Sequence, residues 1–135
     1  MTERGYLLDT DWASYWIRGR PARVGEVIRG LPPDRLHLSM LSLAELYAGA
    51  SYSARPEQLL SAIETFREAV KLITIDPAVC RRYGALYADL RRSGQLIGDI
   101  DILIAATCLE FHLTLLTNNR QHFDRIPNLD IIPAR

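Results

Sequence analysis

The chain has 135 residues, 48% of them hydrophobic, and its 16 basic and 16 acidic residues cancel to a formal charge of zero. That is room for one buried core. The neutral balance excludes a general electrostatic pull toward nucleic acid or an anionic membrane, so any such contact must come from local patches. All the basic residues but Lys71 are arginines, which suit bidentate contacts with carboxylate or phosphate. Cys80 and Cys108 have no CxxC spacing and lie in helical patterns, so both are expected to be buried, reduced core residues. The N-terminal stretch from Met1 to Asp9 has no signal-length apolar segment, and no run is long enough to span a membrane, so a soluble cytoplasmic protein is expected.

Tyr6-Leu7-Leu8 reads as a short buried strand ending at Asp9-Thr10-Asp11, with Thr10 placed to cap a helix over 11–18 that turns Trp12 and Trp16 inward. Gly19 stops that helix, and Pro21 opens another that ends at Pro32-Pro33. A second strand is expected over 36–41, with Ser39 and Ser42 near its exit. A helix containing Glu45 among apolar neighbours follows it. Such a glutamate ordinarily sits on the solvent edge; turned inward it needs a partner such as a metal or water. Amphipathic helices are expected over 56–70 and 77–92, flanking a short strand at 71–75, and are read as packing or partner faces.

The stretch Ile97 to Leu109 carries the strongest signal. Asp99 and Asp101 stand immediately before a nearly all-apolar run that reads as a buried helix from 101 to about 112. Asp101 alone would be an ordinary N-cap. Two acids one residue apart repel unless a positive charge lies between them. A strand over 113–117, Asn118-Asn119-Arg120, a short helix with Phe123 and Ile126, and an edge strand at 130–132 complete the pattern.

Strands alternating with helices predict an α/β fold, a mostly parallel sheet with helices on both faces, whose strand exits share one edge. Asp9, Glu45, Asp99, Asp101 and Asn119 can then meet in one pocket. Carboxylates without a His or Cys ligand set suit Mg²⁺ or Mn²⁺, and such an ion can activate water against a phosphodiester. Asp9 and Asp101 would hold the ion or its waters, with Asp99 in support. Glu45 would orient or deprotonate the attacking water, and Asn119 would hydrogen-bond a water or the phosphate. His37, His112 and His122 are scattered and are read as surface or packing residues. No Walker loop, GxSxG or GxGxxG is present.

Four motifs carry a resemblance: Leu-Leu-Asp-Thr near the start, Leu-Ser-Leu-Ala-Glu-Leu-Tyr-Ala-Gly in the middle, Asp-Ile-Leu-Ile-Ala-Ala late, and Leu-Leu-Thr-Asn-Asn-Arg-Gln-His-Phe near the end. In that order the chain resembles the PIN-domain toxins of the VapC type from about Tyr6 to Ile132. The resemblance implies a single PIN domain over 1–135, an α/β/α sandwich. It also implies a Mg²⁺- or Mn²⁺-dependent endoribonuclease that acts as the toxin of a toxin–antitoxin pair. The family's carboxylates fall on Asp9, Glu45 and Asp101, with Asp99 as an extra acid; its last acidic position falls on the neutral Asn119. Family members form homodimers and are silenced by a VapB-type antitoxin whose C-terminal segment fills the acidic groove, often with an arginine in place of the cation.

Two alternatives stand beside it. Tyr-Leu-Leu-Asp-Thr-Asp is also similar to the nucleophile motif of haloacid-dehalogenase-type phosphatases, with Asp9 as nucleophile and Ser39, Lys71 and Gly98-Asp99 as later motifs. Trp12, however, stands where that family has glycine. The other is a catalytically degenerate PIN domain that only binds RNA or a partner, to which Asn119 points.

Overall fold

The computed structural model describes residues 4–133. Met1-Thr2-Glu3, the start of the N-terminal stretch expected to carry no signal segment, and residues 134–135 of the expected domain lie outside it. Five strands, β1 (Gly5–Leu8), β2 (Leu36–Ser39), β3 (Lys71–Ile73), β4 (Leu113–Leu116) and β5 (Ile131–Ile132), form one sheet in the order β3-β2-β1-β4-β5. Every pairing in it is parallel. All four residues of β4 are buried, as expected of an inner strand covered on both faces.

The two-residue period of the strands divides the core. Leu8 and Leu116 face one apolar cluster, with Trp12, Val24, Leu43, Ile63 and Phe66. Leu7 and Leu115 face the other, with Leu90, Ile102, Ile104, Cys108 and Phe123. The helices α1 (Thr10–Arg18), α2 (Ala22–Arg29), α3 (Met40–Tyr52) and α4 (Pro56–Glu68) supply the first cluster. The second comes from α5 (Pro77–Arg92), α6 (Asp99–Phe111) and α7 (Arg120–Phe123). This is the α/β/α sandwich expected from the alternation of elements.

Local chemistry sets the boundaries and moves some of them. Asp9, rather than Thr10, caps α1, its Oδ1 accepting the Thr10 N–H at 2.8 Å. Gly19 closes α1 at φ 73°, a conformation that favours glycine. Strand β2 ends at Ser39 and not at 41, because the Ser39 hydroxyl accepts the Leu41 N–H and starts α3. α6 begins at Asp99, two residues earlier than expected, and its cap is Gly98 with no side-chain bond. Asp101 is therefore not an N-cap. Cys108 is buried as expected, and burial raises its thiol pKa. Cys80 is exposed, a correction with a simple cause: it lies about 100° around α5 from the buried Val79.

The chain runs outward from β1 through β2 to β3, then returns to place β4 on the other side of β1. Strand order reverses between β1 and β4, and side chains leaving the carboxyl ends of that pair define a crevice.

Candidate active site

The crevice is closed by a contact between residues 108 positions apart. Thr117, just beyond β4, donates its hydroxyl to Asp9 Oδ2 at 2.7 Å, and its oxygen accepts the Asn119 N–H at 3.0 Å. The register that sets Leu8 beside Leu116 makes this bond possible. Asp9 is only 6% exposed. Burial pushes its carboxyl pKa up to about 7, the charges of Asp11 and Asp101 push in the same direction, and the bonds from Thr117 and Thr10 pull back only in part.

The other acids arrive from different elements. Asp99 and Asp101 stand in the first turn of α6, where the helix macrodipole favours negative charge. Asp101 Oδ2 lies 2.7 Å from His122 Nδ1, and the Asn119 side-chain amide lies 3.5 Å from the same oxygen and 3.0 Å from that nitrogen. Asp99 accepts the Tyr83 hydroxyl at 2.8 Å. Glu45, on α3, is exposed as its sequence context favours, yet it is engaged with α1: the Thr10 hydroxyl donates to its Oε1 at 2.6 Å. Beside that bond a cavity of about 110 Å³ opens between α1, α3 and α4, lined by Ile17, Leu46, Leu59 and Ile63. Asp9 and Asp101 are thus joined through shared electrostatics, Asn119 reaches both through Thr117 and His122, and Glu45 connects through Thr10. Asp99 borders the group from the α5 side.

Three participants have no role in the nuclease site expected from the sequence. Asp11 accepts the Trp12 N–H at 2.7 Å and the Asn118 N–H at 3.1 Å, tying the loop after β4 to α1; burial raises its pKa and Asp101 adds to the rise. Its position two residues after Asp9 was the available signal. Thr117 looked like one more residue of an apolar strand. His122, read as a surface or packing residue, instead sits on Asp101, a placement that only the fold could supply. The phosphatase alternative loses its lysine: Lys71 begins β3 and lies with Gly5 and Leu113 at the amino-terminal edge of the sheet, opposite to Asp9.

The donor set is oxygen-rich and anionic, which is the chemistry of a hard divalent cation. Two observations fit such an ion. Asp9 is held against two like charges, which a cation would relieve, and the buried Ser42 hydroxyl, one turn before Glu45, has no partner among the described residues. As the side chains lie, no group of three His, Cys, Asp or Glu residues among those described forms a ready cage. Each acid is instead braced by a donor of the chain itself. A carboxylate offers about four acceptor sites, so these bonds leave room for a cation.

Fold and site define a class: a parallel α/β domain with a carboxylate cluster at the switch point of its sheet. The model of the PIN domain matches residues 6–129. Ribonuclease VapC1 of Haemophilus influenzae (strain R2866) is 37% identical over 92% of this chain and 93% of its own length. The tRNA(fMet)-specific endonuclease VapC of Shigella flexneri is 32% identical over 92% and 93%. Among solved structures, DNA-bound VapBC from Salmonella typhimurium superposes with a TM-score of 0.90 at 29% identity, covering 98% of this chain and all of that one. VapBC-1 from nontypeable Haemophilus influenzae gives 0.85 at 35%, covering 96% and 97%. The chain belongs to the PIN-domain family, among its VapC-type members.

Proposed function

We propose that this chain is a Mg²⁺- or Mn²⁺-dependent endoribonuclease, the toxin of a toxin–antitoxin pair, working in the cytoplasm as a homodimer. The observation that carries the reading is Asp9: a nearly buried carboxyl facing two other acids makes physical sense as half of a cation site. Asp9 and Asp101 would hold the ion, supported by Asp99 and Glu45. A divalent ion held there supplies Lewis acidity to a phosphodiester and lowers the pKa of water. Glu45 would orient or deprotonate the attacking water, and Thr10 holds one of its oxygens. Asn119 contributes a neutral hydrogen bond to water or phosphate. The antitoxin is a VapB-type protein, in keeping with the VapBC complexes among the solved relatives, and its segment would lie in the groove beside Glu45 with a cation toward the acids.

The test is cleavage of total RNA, and of initiator tRNA separately, by the purified protein with Mg²⁺, Mn²⁺ or chelator. Initiator tRNA is chosen because relatives at 32% and 31% identity carry its name. Discrete products that require metal are expected. Metal binding without cleavage of any RNA would move the chain to the binding-only alternative. Asn119→Asp should tighten Mn²⁺ binding, by restoring a charge beside Asp101; a calorimetric titration indistinguishable from wild type would remove Asn119 from the site.

A further inference from the structure

We propose that His122 is a positioning residue of the acidic site, its Nδ1–H holding the Asp101 carboxylate in its working orientation. The inference rests on the nuclease reading and adds a residue to it.

A nitrogen 2.7 Å from a carboxylate oxygen must carry the hydrogen, because two lone pairs at that distance repel. With a hydrogen on Nδ1, that atom has no lone pair left to accept from the Asn119 amide. The Asn119 amide nitrogen, 3.0 Å away, therefore makes no hydrogen bond to the ring, and its 3.5 Å approach to Asp101 is at the outer limit of one. Of the two contacts to Asp101, the short one from His122 therefore does the orienting.

The backbone that carries the ring is anchored in the core. His122 lies in the single turn of α7, directly before Phe123, which is fully buried in the second core cluster. The Phe123 N–H bonds the Asn119 carbonyl at 3.2 Å. The side chains of His122 and Asp101 are 39% and 22% exposed, so the pair faces the crevice without being sealed from it. This is the arrangement in which an outer hydrogen-bond partner fixes the direction of a ligating group.

Asparagine and glutamine separate this role from others, because asparagine places an N–H near the position of Nδ1 and glutamine near that of Nε2. His122→Asn, His122→Gln and His122→Ala are compared in RNA cleavage, in Mn²⁺ affinity by calorimetry, and in thermal unfolding without metal. Loss of roughly 10- to 100-fold in cleavage and Mn²⁺ affinity is expected for the Gln and Ala variants. The Asn variant should recover to within a few-fold, and unfolding temperatures without metal should agree closely across the set. Recovery by Gln and not Asn would transfer the role to Nε2 and overturn the proposal. Wild-type behaviour in all three variants would overturn it too, as would equal losses matched by a lower unfolding temperature, the mark of a packing role. A wild-type protein that neither cuts RNA nor binds Mn²⁺ would remove the nuclease reading itself, and the inference with it.

Discussion

Asp9→Asn is expected to lower RNA cleavage by on the order of 10³-fold while leaving the fold intact. Asn has the shape of Asp, keeps an oxygen for the Thr10 N–H, and fills the same buried volume. What it removes is the charge at the centre of the site. Asp101→Asn should lose cleavage similarly, although Asp101 is less buried and braced by His122 rather than by Thr117. Undiminished cleavage by both variants would dissolve the site assignment.

The same substitution has a second, independent signature in stability. Asp9 has a folded pKa near 7 against an ordinary value of 3.8, so between those pH values the folded state binds more protons than the unfolded one. Stability therefore falls as pH rises from about 4 to 7, and the full cost of ionising Asp9 is present above 7. That cost is at most about 4 kcal/mol. Part of it is offset because the Asn amide cannot accept the Thr117 hydroxyl as the carboxylate does, leaving an expected gain of roughly 1–3 kcal/mol for Asp9→Asn at pH 8. The gain should vanish toward pH 4, where Asp9 is protonated. Mn²⁺ should reverse the order at pH 8, because the ion stabilises the wild type and finds less to bind in the variant. Denaturation curves at pH 4.5 and 8, with and without Mn²⁺, check all three statements. A variant less stable than wild type at pH 8 without metal would contradict the electrostatic account of Asp9.

Much of this site was legible because it follows strand ends. Tyr6-Leu7-Leu8 had to stop at a polar residue, and Asp9 was that residue; the apolar run after Asp101 had to be a buried helix, which put both acids at its mouth. Boundaries slipped where a capping residue and apolar neighbours gave opposing signals. Met40 and Leu41 look like strand, but Ser39 caps a helix at that point. The braces were not legible. Thr117 meets Asp9 across 108 residues and His122 meets Asp101 across 21, and no periodicity encodes either pairing. They depend on β4 lying beside β1 and on where a one-turn helix comes to rest, both settled by packing.

The packing that sets α7 also supplies the second large effect. Phe123→Ala should destabilise the domain by about 3–5 kcal/mol, the usual cost of emptying a fully buried phenylalanine site. In a domain of this size that lowers the unfolding temperature by roughly 10–20 °C. A four-residue helix has little stability of its own, so α7 stays helical only because Phe123 is seated among Leu7, Ile102 and Ile104. Loss of that anchor should loosen His122 and Asn119 together, so cleavage should fall at temperatures where the variant is still folded. Phe123→Leu retains most of the apolar contact and should cost about 1–2 kcal/mol with cleavage largely kept. The two variants separate anchoring from overall stability. If Phe123→Ala cleaved as well as wild type well below its melting temperature, α7 would hold its place without Phe123, and the coupling between the second core cluster and the acidic crevice would be absent.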